Sequence, residues 1–311
     1  MCALARSRRK SSGLWNLNQV KLSTFILFHS SVFRCSAGGI MSRGSSIFDM
    51  GFSLAELQLM DLYDEAIESA NRETLSKNLR PTPPEERYKF PKLSPEQLKM
   101  MYESFEGNPR DTVAKKYNWC LQRKEIISLK GIHWVEDKII DYYLMLIMIR
   151  AYKKNLPSVF CMNTKFYQLY AKKGYESVKN WTKDIDLFSF QLICIPVRRG
   201  NHWFLVVIDF ITRVIKSYDT YNGSHTKYLE KIRDYLGFES SDKKKKQLRT
   251  HLIPMYSYNI DRAISCSDCG VVICSVAEFI TRECKVAFCQ ADLPYLRQKM
   301  IVEILTGDLL E

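Results

Sequence analysis

Two runs rich in Val, Ile and Phe, Trp203 to Asp209 and Arg213 to Tyr218, are separated only by Phe210-Ile211-Thr212. Runs of this length and composition read as strands, and so short a link suits an antiparallel hairpin. That pairing fixes the middle of the fold. Folding the chain back near Phe210 and Ile211 brings position 202 opposite position 219. His202 and Asp219 then become cross-strand neighbours, close enough for one to orient the other's ring. A carboxylate so placed fixes the imidazole tautomer and stabilises the imidazolium. The alternative is that Asp219 only opens the polar turn Asp219-Thr220-Tyr221-Asn222-Gly223, a common place for Asp.

A second constraint is the apolar run from Gly270 to Ile280, which reads as a mostly buried helix. Cys269, in Ser267-Asp268-Cys269-Gly270, stands at its N-terminus. There the helix dipole and unpaired backbone N–H groups favour a thiolate, and a nearby imidazolium favours it further. A buried structural cysteine is the competing reading. Thiol, imidazole and carboxylate are together the parts of a cysteine protease. Their order here, His, Asp, Cys, is not the papain order, but one site can be assembled from different chain orders.

Helical and extended segments do not alternate regularly, which excludes a doubly wound parallel sheet. The reading is α+β. Helices fall near Ser94–Glu106, Glu136–Tyr152, Lys227–Leu236 and Gly270–Thr281, with a further strand near Leu248–Tyr256. An apolar fraction of 46% supplies a sizeable core. Ten cysteines in a chain this long, without regular spacing, do not make a disulfide scaffold. A reducing compartment fits better. Cys266-Ser267-Asp268-Cys269 is formally a C-x-x-C pair. It lacks a second pair for zinc and the βαβ context of a redox dithiol, leaving a reversible regulatory disulfide as an open reading. No metal or cofactor is called for: the histidines are too dispersed for a metal cluster, and no Gly-rich phosphate loop is visible.

The net charge of +12 is uneven. No acidic residue precedes Asp49, whereas Arg6, Arg8, Arg9, Lys10, Lys21, Arg34 and Arg43 do. Residues 1–87 read as a basic, largely disordered region. It contains a short amphipathic helix over Ile47–Ala70 and the Pro-rich linker Arg80-Pro81-Thr82-Pro83-Pro84. Its start admits a transit peptide, a disordered basic arm, a nuclear-localisation cluster at Arg6–Lys10, or an extension upstream of a start at Met41. Thr24–Phe33 is too short and polar to span a membrane. Lys243-Lys244-Lys245-Lys246 with Arg249 reads as a solvated loop, and no aromatic interleaving supports nucleic-acid binding.

From Tyr88-Lys89-Phe90-Pro91 to the C-terminus the chain resembles the sentrin (SUMO)-specific proteases. The resemblance rests on collinear motifs. These are Gly131-Ile132-His133-Trp134-Val135-Glu136-Asp137, Asn163-Thr164-Lys165-Phe166-Tyr167, Gly174-Tyr175 through Trp181, Ile195-Pro196-Val197 leading to His202-Trp203, and Leu293-Pro294-Tyr295-Leu296-Arg297. It implies a papain-like fold, a central mixed sheet flanked by helices, over residues 88–311. It further implies that His202 is the base, Asp219 its orienter and Cys269 the nucleophile, with no cofactor. Trp134, Asp137, Phe166 and Trp203 would be substrate-binding, the two tryptophans covering a narrow tunnel for a modifier's Gly-Gly tail. The tunnel makes physical sense, since two indole faces leave room only for residues without side chains; ordinary core packing is the alternative for both.

The chain also departs from the family pattern. The family's oxyanion Gln, six residues before the nucleophile, is Ala263 here, with Asn259 and Arg262 as nearby polar residues. Losing one such donor costs on the order of a hundredfold to a thousandfold in turnover. Cys266 replaces a Gly, and Asn180 replaces an Arg. The function the resemblance implies is a cysteine isopeptidase and endopeptidase cleaving after the Gly-Gly tail of SUMO or another ubiquitin-like modifier. The rival is an impaired member that binds SUMO without cutting efficiently. A monomer in the nucleus or cytoplasm, without membrane or nucleic-acid partners, is expected.

Overall fold

The computed structural model describes residues 88–221, 223–244, 255–260 and 266–310. The expectations for residues 1–87, for Lys245, Lys246 and Arg249, and for Arg262 and Ala263 lie outside them. In chain order the elements are α1 Pro95–Glu103, β1 Thr112–Lys116, β2 Trp119–Gln122, α2 Arg123–Ile127, α3 Asp137–Lys153, β3 Val159–Cys161, α4 Phe166–Lys173, β4 Leu192–Arg199, β5 His202–Asp209, β6 Val214–Asp219, α5 Thr226–Glu239, β7 Met255–Asn259, α6 Cys269–Thr281 and α7 Leu293–Thr306. Short 3-10 turns connect several of them.

The four expected helices form, each within a few residues of its expected ends. The first begins where its capping predicts: the Ser94 hydroxyl accepts from the Gln97 N–H, Gln97 returns a bond to the Ser94 N–H, and Pro95 takes a first-turn position that needs no donor. Strands β3 to β7 form one mixed sheet in that order. The β4–β5 and β5–β6 pairs are antiparallel, and β3–β4 and β6–β7 are parallel. Every residue of β5 is buried. Both faces of this central strand are therefore covered, as its near-continuous apolar sequence demands. Helix α6 packs on β4, β5 and β6 and against α3. β1 and β2 form a separate small hairpin.

One expectation needs correction. The β5–β6 loop holds four residues, 210–213, because Asp209 pairs with Val214. Asp209 Oδ1 accepts from the N–H groups of Ile211 and Thr212 at 3.0 and 2.9 Å, and Arg213 takes a left-handed φ of 57° to complete the turn. Extending this register puts His202 opposite Tyr221 rather than Asp219, and the two rings meet edge-on with centroids 4.5 Å apart. Asp219 is thus the diagonal neighbour. An offset of two keeps it on the same face of the sheet, so the pairing with His202 survives the shift. Of the strand expected at Leu248–Tyr256, residues 248–254 lie outside the described residues. Met255 and Tyr256 fall in β7, which pairs with β6, Ile215 facing Met255 and Asp219 facing Asn259, and Tyr218 stacks on Tyr258 at 5.3 Å.

Candidate active site

β5 and β6 supply the imidazole and the carboxylate. Nε2 of His202 donates to Oδ1 of Asp219 in a short hydrogen bond, inside the protein where competing water is excluded. Because a carboxylate only accepts, the proton of the neutral ring sits on Nε2 and the lone pair on Nδ1. Nδ1 is buried without a hydrogen-bond partner among the described residues. It is the nitrogen left to exchange a proton with a thiol. Burial pushes the Asp219 carboxyl up. Hydrogen bonds from His202 and His225 outweigh it, so the group is held well below the usual carboxylate range and stays ionised.

α6 supplies the thiol. Cys269 is its first residue, follows the 3-10 turn Cys266–Asp268, is buried, and is not in a disulfide. Its backbone N–H is among the donors a helix start leaves without an intrahelical acceptor. Gly270 lets this end of the helix seat closely: a Cβ there would lie 2.9 Å from the Val135 Cβ. Two residues beyond Val135, Asp137 lies 3.8 Å from the Arg198 guanidinium, which stands over the Trp203 ring, 5.6 Å from its centroid. Arg199, next to Arg198, pairs with His202. The short segment from Trp134 to Asp137 therefore touches both the first turn of α6 and the end of the sheet that carries His202.

A clamp that the sequence reasoning did not identify holds the turn before the thiol. Arg297 of α7 donates from Nε to Asp268 Oδ1 at 2.7 Å and from Nη2 to the carbonyls of Ser267 and His133, each at 2.9 Å. It joins the residues preceding Cys269 to the loop bearing Trp134. The available signal was weak: Arg297 is one of three charged residues in its helix, with Lys299 and Glu303. Arg297→Leu leaves Asp268 buried and uncompensated, so we expect a loss of about 3–5 kcal/mol in stability, read by denaturant unfolding.

Of the residues expected to bind substrate, Trp134 is 46% exposed on the loop before α3, and Asp137 begins that helix. Phe166 is fully buried, packing on Tyr235 at 4.9 Å and on Trp181 at 6.0 Å, so its ring supports the fold from inside. Trp203 is also buried, 4% exposed, with Arg198 over its ring. Trp203→Ala should therefore cost about 3–5 kcal/mol of stability, checked by a melting curve beside the activity assay. A variant that melts like the natural protein would show that the ring does not support the core.

The second residue missed is His225, just before α5, whose Nε2 meets Asp219 Oδ2 at 2.7 Å. Nothing in its turn sequence distinguished it from a solvent-facing histidine. Among the described residues no helix is long and apolar enough to cross a membrane.

The fold is that of a mixed α+β domain. The model of the Ulp1 protease family C-terminal catalytic domain matches residues 133–308, and the chain belongs to that family. A sentrin-specific protease of Caenorhabditis elegans is 36% identical over 206 residues, covering 66% of this chain and 30% of the relative. Human sentrin-specific protease 2 is 33% identical over 207 residues, covering 65% and 35%. The chain thus spans about a third of the length of these curated relatives. Among solved structures, the yeast Ulp1 protease domain in complex with Smt3, the yeast ortholog of SUMO, superposes with a TM-score of 0.61 at 20% identity, covering 70% of this chain and 96% of the other. The Chaetomium thermophilum Ulp1-like SUMO protease catalytic domain superposes at 0.63 and 20% identity, covering 75% and 96%. At that identity these two likenesses concern the fold.

Proposed function

We propose that this chain is a cysteine peptidase that cleaves after the Gly-Gly tail of a ubiquitin-like modifier, SUMO in the first place, from precursors and from lysine conjugates. The observation that carries the reading is the buried His202–Asp219 pair, with the His202 Nδ1 lone pair left for a thiol at the start of α6. The names of the relatives supply the modifier class.

In this reading the Cys269 thiol passes its proton to Nδ1 of His202, and Asp219 stabilises the resulting imidazolium. The thiolate attacks the carbonyl of the second Gly. The developing oxyanion is met by the backbone N–H of Cys269 at the helix N-terminus. The imidazolium protonates the departing lysine amine, and the neutral ring then takes a proton from the water that releases the modifier. Exposed Trp134 lies over the tail. Trp203 supports it from within, through Arg198 and Asp137, and Asp137 itself faces the modifier. The chemistry calls for a reducing compartment, so nucleus or cytoplasm is the setting, and residues 88–311 are the catalytic unit. The rival, a SUMO-binding module weakened by Ala263, draws no support over the peptidase reading.

Hydrolysis of isopeptide-linked SUMO, NEDD8 and ubiquitin substrates tests the proposal. SUMO should give the highest kcat/KM. Equal or faster hydrolysis of ubiquitin would overturn the modifier assignment, and absence of turnover with tight SUMO binding would restore the rival.

A further inference from the structure

We infer that His225 is a positioning residue for the catalytic triad, a second imidazole that locks the Asp219 carboxylate in the plane His202 needs; this rests on the peptidase reading above. The Asp219 side chain is wholly enclosed. Its Oδ1 accepts from Nε2 of His202 and from the backbone N–H of Tyr221 at 3.1 Å. Oδ2 accepts from Nε2 of His225 at 2.7 Å. Without His225, Oδ2 would lose the one side-chain donor that meets it among the described residues.

His225 has little else to do. It is 1% exposed, its ring lies 4.5 Å from the Phe204 ring and 6.5 Å from that of Tyr228, and its Nδ1 is buried without a hydrogen-bond partner among the described residues. Burying an imidazole with one nitrogen unsatisfied is costly, so the Nε2 bond carries the polar compensation for the side chain. The backbone of His225 is itself fixed, because its carbonyl accepts the first helical bond of α5, from the Leu229 N–H at 2.9 Å. A rigid helix start thus holds the carboxylate from the side opposite His202. Rotation about the Asp side-chain terminal torsion is otherwise soft. A turned carboxylate would no longer aim Oδ1 at His202.

The proposal sets the tautomer of both rings. Each histidine donates from Nε2 to the same ionised carboxylate, so His225 in its neutral form carries its proton on Nε2. It then contributes a dipole rather than a second positive charge, leaving the anion's charge to the His202 imidazolium.

Kinetics and spectroscopy test this together, on the full chain. With an isopeptide-linked SUMO substrate, His225→Leu should lower kcat about tenfold at unchanged KM, the effect of one buried charge-assisted hydrogen bond acting on orientation. His225→Gln, whose amide can reach the position of Nε2, should recover kcat to within about threefold of the natural chain. Melting curves accompany both. A folded His225→Leu with the natural kcat, or Leu and Gln variants that fall equally, would overturn the inference. Nitrogen-15 NMR of the unsubstituted protein decides independently of variant folding and of turnover: neutral His225 protonated at Nε2 supports the proposal, and protonation at Nδ1 overturns it. If the natural chain cleaves no modifier while this tautomer is observed, the functional reading fails and the local arrangement around Asp219 stands.

Discussion

Cys269→Ser is expected to lose turnover on the order of 10⁴-fold or more and to form no adduct with a modifier carrying a C-terminal electrophile. A serine hydroxyl at the same helix start is far harder to ionise than a thiol, so a site that works through a thiolate loses its nucleophile. Two other buried thiols among the described residues are poor substitutes. Cys274 lies farther along α6 and Cys161 on β3, both fully buried. Burial pushes both thiols well above the ordinary range, with the hydrogen bond to Cys194 adding to the effect at Cys161. Cys266→Ser should keep most activity, because the helix starts at Cys269, with Gly270 behind it seating against Val135. Adduct formation by Cys269→Ser, lost instead in Cys266→Ser, would reverse the assignment of the nucleophile.

Asp219→Asn is expected to lower kcat by a similar order, about 10⁴-fold, with the fold retained. The carboxylate accepts from two imidazoles at once. An amide offers one acceptor oxygen and one donor nitrogen, so one imidazole must turn its Nε2 lone pair toward the new N–H. If that ring is His202, its Nδ1 carries the proton and cannot accept another from the thiol. The charge that stabilises the imidazolium is lost in either case. Stability should change with it. The folded carboxyl sits well below its unfolded value of about 3.9. Its contribution is therefore full above that value and drains away as pH falls toward the folded one. Asp219→Asn should flatten this part of the acid side of the stability curve, as measured by melting temperature against pH.

Sequence alone went far on both hairpin and helix because their signals are local. The apolar runs at β5, β6 and α6 are dense, and the residue types at their ends have few other uses in combination. The register slipped by two because loop length depended on Asp209 capping its own turn and on Arg213 accepting a left-handed backbone, neither of which periodicity encodes. The error was harmless to the site because an even shift preserves the face. Trp203 and Phe166 show the opposite limit. Motif position suggests a substrate role for them, and the burial of both rings is a property of the whole fold that no motif encodes. Arg297 and His225 were missed for the same reason. Each acts through a tertiary contact, to the turn before Cys269 or to the Asp219 carboxylate, that no spacing rule anticipates.

The most direct test of the account is mass spectrometry of the chain after reaction with SUMO bearing a C-terminal vinyl sulfone. The account predicts a single adduct, mapped to Cys269, forming faster than with the equivalent NEDD8 or ubiquitin reagents and lost when His202 is replaced by Ala. No adduct, or one mapped to another cysteine, would contradict it.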